Sequence, residues 1–345
     1  MVTFARRVTT NTEERRVGKK LGVILTGLGV FVLGVALLAR FYAYDRLAVV
    51  PLDQDTVSVS EGPDATIFDI ATQQEITVDL VSTRNVVGDV EASEEASDEL
   101  GRDIAVWETL VYTDEPGAEI DADNPPRSGT HDRVAFDRHT GETVVCCETF
   151  TSTTADDRGV EQPEATAFEG LYFKFPFQTE KKTYQFWDGS LGEAPDIEFQ
   201  EVETIEGLEV YRFEQVIPAT TVATINAPAS IFGIDEEGDV SLDRVYSNTR
   251  TLWIEPETGV IIRGQEDQLT VAEYEGEQVA TLTDVVIGYN PETISDNVDT
   301  YSSLSSQLKA IRIWVPIVGG VLGLLLLVAG LLLMRRRREG SAHAG

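Results

Sequence analysis

Two long apolar runs decide most of what this chain can become. Ile313 to Met334 is 22 residues without a charged side chain, closed by Arg335, Arg336, Arg337 and Arg338. About 20 apolar residues in a helix cover the ~30 Å hydrocarbon core of a bilayer. Basic residues are retained on the cytoplasmic side, and Trp314 at the other end suits the membrane interface. Leu21 to Leu38 is a second run, with Thr26 as its only polar member. Arg6, Arg7, Arg15, Arg16, Lys19 and Lys20 precede it, and Phe41, Tyr42 and Tyr44 follow as an interfacial belt. A secretory signal has a shorter apolar region and a clean small-residue cleavage site. Here Ala36 and Ala39 bracket two leucines and Arg40 comes next, so an uncleaved anchor is expected. The expected division is a cytoplasmic start (1–20), a span (21–39), an extracytoplasmic body (40–312), a span (313–334) and a cytoplasmic tail (335–345). Gly319 and Gly323 have the spacing that lets helices approach closely, with the first helix or with another copy of the chain.

Charge narrows the partners of the body. The chain holds 27 basic and 59 acidic side chains; ten of the basic and three of the acidic lie before the first run or after the second, leaving 17 against 56 between the runs, a net of −39. That field repels nucleic acid and anionic headgroups, so no nucleic-acid role is expected. A surface rich in acid and poor in lysine suits a protein kept soluble in high salt, where self-repulsion is screened.

The body is expected to be mainly β. Short β-branched or alternating runs recur at 65–70, 75–81, 104–112, 133–137, 142–150, 208–216, 249–254, 260–264, 268–274 and 278–289, separated by Gly, Pro, Asp and Asn clusters. Residues 91–100 and 302–312 read as helix, and 114–131 and 154–167 as acidic loops. One pattern occurs twice: an apolar strand, an acid, two variable residues, Thr-Gly, then another apolar strand. It runs from Arg133 through Asp137, Thr140 and Gly141, and again from Thr251 through Glu255, Thr258 and Gly259. The pattern suggests two tandem related halves, about 45–165 and 166–300.

Cys146 and Cys147 are the only cysteines, and they are adjacent. They are either two strand residues on opposite faces, a vicinal disulfide, or thiols used for lipidation or intermolecular pairing. No nucleophile elbow, P-loop, dinucleotide glycine run or zincin pattern is present, so neither an enzyme nor a cofactor is expected. His131 and His139 flank one hairpin without further metal-ligating neighbours, and Asp121–Asn124 and Asp235–Asp239 lack the ligand ladder of a calcium loop, so no metal site is assigned.

Between the repeats, Gly170 to Asp188 gathers seven aromatics with Lys174, Lys181 and Lys182. Either its alternation sends one face into a core, or Phe173, Phe175, Tyr184, Phe186 and Trp253 line a groove for an acyl or isoprenoid chain. In the second case the three lysines meet its anionic head, though they could equally pair with Glu169 and Glu180. The segment Trp253-Ile-Glu-Pro-Glu-Thr-Gly-Val resembles the hairpin of bacterial lipoprotein carriers, which hold a lipid inside a curved half-barrel. The core Lys174-Phe-Pro-Phe-Gln-Thr-Glu-Lys-Lys-Thr-Tyr184, with the two outer helices, resembles a mostly actinobacterial family of two-anchor envelope proteins called porin PorA-like. The resemblance implies a membrane-anchored envelope protein and no catalytic residue. A membrane barrel needs strands with an apolar outward face, and this body is acidic, so pore formation is not expected. The expected function is lipid or glycolipid binding by the external body, with a structural or partner-binding module as the alternative.

Overall fold

A computed structural model describes residues 2–121, 124–153 and 162–335, with side chains from residue 19 onward. Asp123, His343, Arg336 to Arg338, the 154–161 part of the expected loop and the side chains of Arg6, Arg7, Arg15 and Arg16 lie outside that description. The chain divides into two compact units, residues 49–303 and the two terminal segments.

The terminal unit is a pair of helices. Helix α1 (Val2–Leu38) continues through a π-helical turn, Ala39–Ala43, into the short α2 (Tyr44–Leu47). At the other end α4 (Pro291–Lys309), of which residues 291–303 belong to the sheet unit, a π-helical turn at Ala310–Trp314 and α5 (Val315–Arg335) follow one another without a break. Both helical stretches are long and apolar enough to cross a membrane. They pack through small residues. A Cβ added to Gly319 would stand 3.0 Å from the Ala36 Cβ, and one on Gly323 would stand 3.0 Å from the Gly29 carbonyl oxygen. Such contacts need the close backbone approach that glycine allows.

The larger unit is a single sheet of 12 antiparallel strands in the order β6-β5-β4-β3-β2-β1-β12-β11-β10-β9-β8-β7. The strands are β1 (Asp55–Asp69), β2 (Gln74–Gly88), β3 (Ile104–Asp114), β4 (Ser128–Asp137), β5 (Phe150–Ser152), β6 (Glu164–Ala165), β7 (Tyr184–Gln185), β8 (Asp196–Ile205), β9 (Leu208–Pro228), β10 (Asp239–Ile254), β11 (Ile261–Tyr274) and β12 (Glu277–Tyr289). Each strand pairs with its sequence neighbour except across the middle, where β1 pairs with β12. The sheet does not close, because its edges are the two-residue strands β6 and β7. Leu171 nevertheless makes single bridges to Glu142 on one side and to Phe186 on the other.

Both faces of the sheet are covered, and the alternation of side chains shows how. Ile104, Val106 and Ala135 pack under α3 (Val90–Leu100), while Ala105, Trp107 and Phe136 pack on the other face against Phe173 and Phe177. Helix α3 is capped by Asp89, whose carboxylate accepts from the Ala92 amide at 3.0 Å. Ser93 and Ser97 on its buried side accept from the Val106 and Ile104 amides of β3. In the second half Trp253 packs with Val298 and Tyr301 of α4, while Leu252 and Ile254 point to the opposite face, toward Phe175.

Two expectations need correction. The 142–150 run is not a strand. It makes isolated bridges at Glu142 and Thr143, then turns through Cys147 and Glu148, whose φ of 62° and 55° no strand accommodates. Strands were also missed: β8, the first half of β1, and the outer halves of β9 and β10 are too rich in Thr, Ser, Glu and Ala to read as strand without their partners.

Candidate functional site

The stretch from Gly170 to Asp188 is the structural centre of the sheet unit, and it is held mainly by backbone. The two Thr-Gly turns are built alike. Asp137 accepts from the His139 and Thr140 amides, and Glu255 accepts from the Thr258 amide and hydroxyl. The Gly141 and Gly259 amides donate to the carbonyls of Asp137 and Glu255 at 2.9 and 2.8 Å, with φ of 76° and 74°. Both turns grip the same segment. The Phe175 amide donates to the Gly259 carbonyl, Phe177 to His139, Gln178 to Glu257 and Thr179 to Pro256.

The sequence-predicted ligand residues do not converge on one groove. Phe175, fully buried, shares a cluster with Phe186 and the half-buried Tyr184. Phe173 packs with Trp107 and Phe136 in a second cluster, and Trp253 belongs to a third on the opposite face of the sheet. Phe175 meets Phe213 tilted at 4.7 Å and Trp107 meets Phe173 edge-on at 5.2 Å, while Phe175 and Phe186 lie stacked at 5.9 Å, as in a filled core. The lysines separate as well. Lys182 pairs with Glu180 at 2.8 Å on the surface, and Lys181 lies over Tyr211 at 4.9 Å. Lys174 is 5% exposed, its Nζ has no hydrogen-bond partner among the described residues, and it sits 3.6 Å over the Phe177 ring. Burial pushes its pKa from the ordinary 10.5 down to about 7, with Asp137 pulling weakly the other way.

Cys146 and Cys147 are joined to each other as a vicinal disulfide, half-buried beside Ala96, Val106 and Ala135. This corrects the reading of two strand residues facing opposite ways, since the turn there places both sulfurs together. His131 and His139 lie against the carboxylates of Glu108 and Asp103. Gly319 and Gly323 both face the first helix of the same chain.

Sequence reasoning missed a polar network on the sheet face that holds the aromatic stretch. Arg250 bridges Asp188 at 3.1 Å and Glu266 at 2.8 Å, and donates to the Gln215 side chain and the Trp187 carbonyl. Gln215 in turn donates to the carbonyls of Phe186 and Pro195. Burial would raise the Glu266 pKa, but the Arg250 charge and its hydrogen bonds outweigh it and hold the carboxyl below its usual range. Nearby, the Tyr172 hydroxyl donates to Asp132, as does that of Thr151, and burial pushes the Tyr172 pKa upward. Arg84 donates from Nε to Thr109 and stacks over Tyr172 and Phe173.

The family model described as Porin PorA matches residues 21–332. A protein named Porin PorA from Corynebacterium amycolatum is 25% identical over 303 residues, covering 72% of this chain and 77% of its own. Another of the same name from Corynebacterium resistens is 26% identical over 321 residues, covering 73% and 76%. These names stand against the expectation that pore formation has no part here.

Proposed function

Because the chain belongs to the Porin PorA family, we propose that it is a membrane-anchored, non-catalytic cell-envelope protein whose sheet unit works as a structural or partner-binding module. The observation that carries this is the packing of Gly170–Asp188. The residues that would have lined a lipid groove are divided among three filled clusters, and the segment is fixed by backbone hydrogen bonds to both Thr-Gly turns. A carrier needs an apolar space into which a chain can slide. The test is mass spectrometry of organic extracts from detergent-purified protein. The proposal expects no stoichiometric lipid, and a lipid bound one-to-one through Phe173, Phe175 or Phe186 would overturn it.

A second reading, that the protein contributes to a permeation path, is favoured by the names of its relatives and by the polar groups Arg84, Asp132, Gln215, Asn248 and Glu266 on the face that carries the aromatic stretch. Planar-bilayer recording of the purified full chain separates the two. Discrete conductance steps that vanish on substitution of those groups support permeation, and a silent bilayer supports the module.

A further inference from the structure

The end of the helix pair that continues into the sheet unit carries four cations. Arg40 and Arg46 lie on the first helical stretch and Lys309 and Arg312 on the second, while Asp45 is the one acidic residue in 39–48 and 304–315. The chain between the two apolar runs is otherwise strongly acidic, so this end reverses the sign of its surroundings. The Arg40 guanidinium lies 5.6 Å from the Phe41 ring centre, and that of Arg46 lies 5.0 Å from the Tyr42 ring centre. Neither arginine has a carboxylate partner among the described residues. Tyr44, Ala48, Ser305 and Leu308 are buried, whereas Phe41, Tyr42, Arg46 and Trp314 are exposed.

The four charges share one depth. Gly319 stands against Ala36, and the π-helical turns Ala39–Ala43 and Ala310–Trp314 lie side by side. At about 1.5 Å per residue, Arg40 and Arg46 are roughly 6 and 15 Å beyond Ala36, and Arg312 and Lys309 roughly 10 and 15 Å beyond Gly319. That band, about 9 Å deep, is close to the roughly 5–8 Å headgroup layer on one side of a bilayer, along which long basic side chains can reach. Leu38 and Ile313, where the apolar runs meet it, mark its inner limit. Phe41, Tyr42 and Trp314 occupy the boundary between headgroups and hydrocarbon that such rings favour.

We propose that this end of the helix pair is a contact surface for anionic phospholipid, whose headgroups the charges of Arg40, Arg46, Lys309 and Arg312 gather from a mixed bilayer. The proposal rests on the reading that the protein is membrane-anchored. Each basic residue at a membrane surface favours negatively charged lipid, and a guanidinium also matches two oxygens of one phosphate. The acidic sheet unit opposes such lipid, but its charges act through salt solution and fade beyond about 8 Å, whereas the four cations sit among the headgroups. An acidic body is thereby held at an acidic membrane by a band of opposite sign.

Trp314 supplies the test, because Trp107, Trp187 and Trp253 are buried in the sheet unit. The full chain is reconstituted into phosphatidylcholine vesicles in which a fixed minor share of the lipid carries brominated acyl chains, either as phosphatidylcholine or as phosphatidylglycerol. Bromine quenches tryptophan on contact, and a Trp314→Phe chain gives the background. The surface predicts that phosphatidylglycerol is enriched beside Trp314 by about threefold or more over phosphatidylcholine. The preference should vanish when all four cations are changed to Gln and persist in Arg40→Lys/Arg46→Lys, which keeps the charge. It should also vanish in ~1 M sodium chloride, where screening acts within about 3 Å. Equal quenching by the two brominated lipids overturns the proposal and leaves the membrane anchor standing, whereas quenching by neither overturns the anchor itself. A preference that survives loss of all four cations overturns their assignment. Should that variant fail to fold, the salt series on the unaltered chain decides, and a preference indifferent to salt overturns the proposal.

Discussion

Lys174 carries a primary amine into a place that offers it an aromatic ring and, among the described residues, no acceptor. With its pKa near 7 in the folded chain and 10.5 ordinarily, the unfolded chain holds a proton between those values that the folded one lacks. Stability therefore climbs with pH from about 7 to about 10.5, by at most about 1.4 kcal/mol per unit, and the cost of the buried charge is fully present below 7. Lys174→Met should flatten that slope and raise stability at pH 7, as read by urea unfolding across pH 6 to 10. Glycine positions give a second contrast. A Cβ on Gly259 would strike the Phe175 carbonyl, whereas one on Gly276 meets nothing within 4 Å, although φ is positive at both. Gly259→Ala should cost at least ~2 kcal/mol and Gly276→Ala about 1 kcal/mol, measured by the same unfolding. The sequence announced the Thr-Gly turn but not its cargo. Alternation placed Lys174 opposite Phe173 and Phe175, yet the segment is no strand, so the period of two had no bearing on where the amine went.

Between elements, Arg250 ties β10 to β11 and to the end of the aromatic stretch. Its side chain is 10% exposed and that of Asp188 is 1% exposed. Arg250→Ala leaves buried Asp188 without its cation and should destabilise the protein by about 3–5 kcal/mol. Arg212, which meets Glu201, Glu203 and Glu214 near the surface, should cost no more than about 1 kcal/mol when changed to Ala. Thermal unfolding of the two variants side by side checks the ranking. Arg250 was visible in principle, because it falls on the same side of its strand as Leu252 and Ile254, and a charge among apolar residues signals a buried partner. Its partners were not visible. Asp188 is 62 residues away and reads as part of a turn, a role it also fills by accepting from the Ser190 and Leu191 amides.

For the molecule as a whole, the apolar runs were legible because membrane-length hydrophobicity is a local property, while the order of the strands is not. Nothing in the residues near Ser60 and Tyr289 says that they pair across 229 positions, and that pairing sets β1 beside β12 and sends the sheet's two edges to β6 and β7. It also brings the start of β1 and the end of β12 to the same end of two neighbouring strands. If the basic flanks set orientation as they usually do, epitope tags added before Val2 and after Gly345 will survive protease applied to intact cells, while the sheet unit is cut. With Ala36→Cys and Gly319→Cys in place, oxidation should link the two tagged fragments, because those positions approach within bonding reach. Adding Gly323→Leu should abolish that link, since the side chain would drive into Leu33 and the Gly29 carbonyl. Loss of either tag under external protease would reverse the assigned orientation of that end. Linkage that persists in the Gly323→Leu background would mean that close glycine packing is not what holds the helices together.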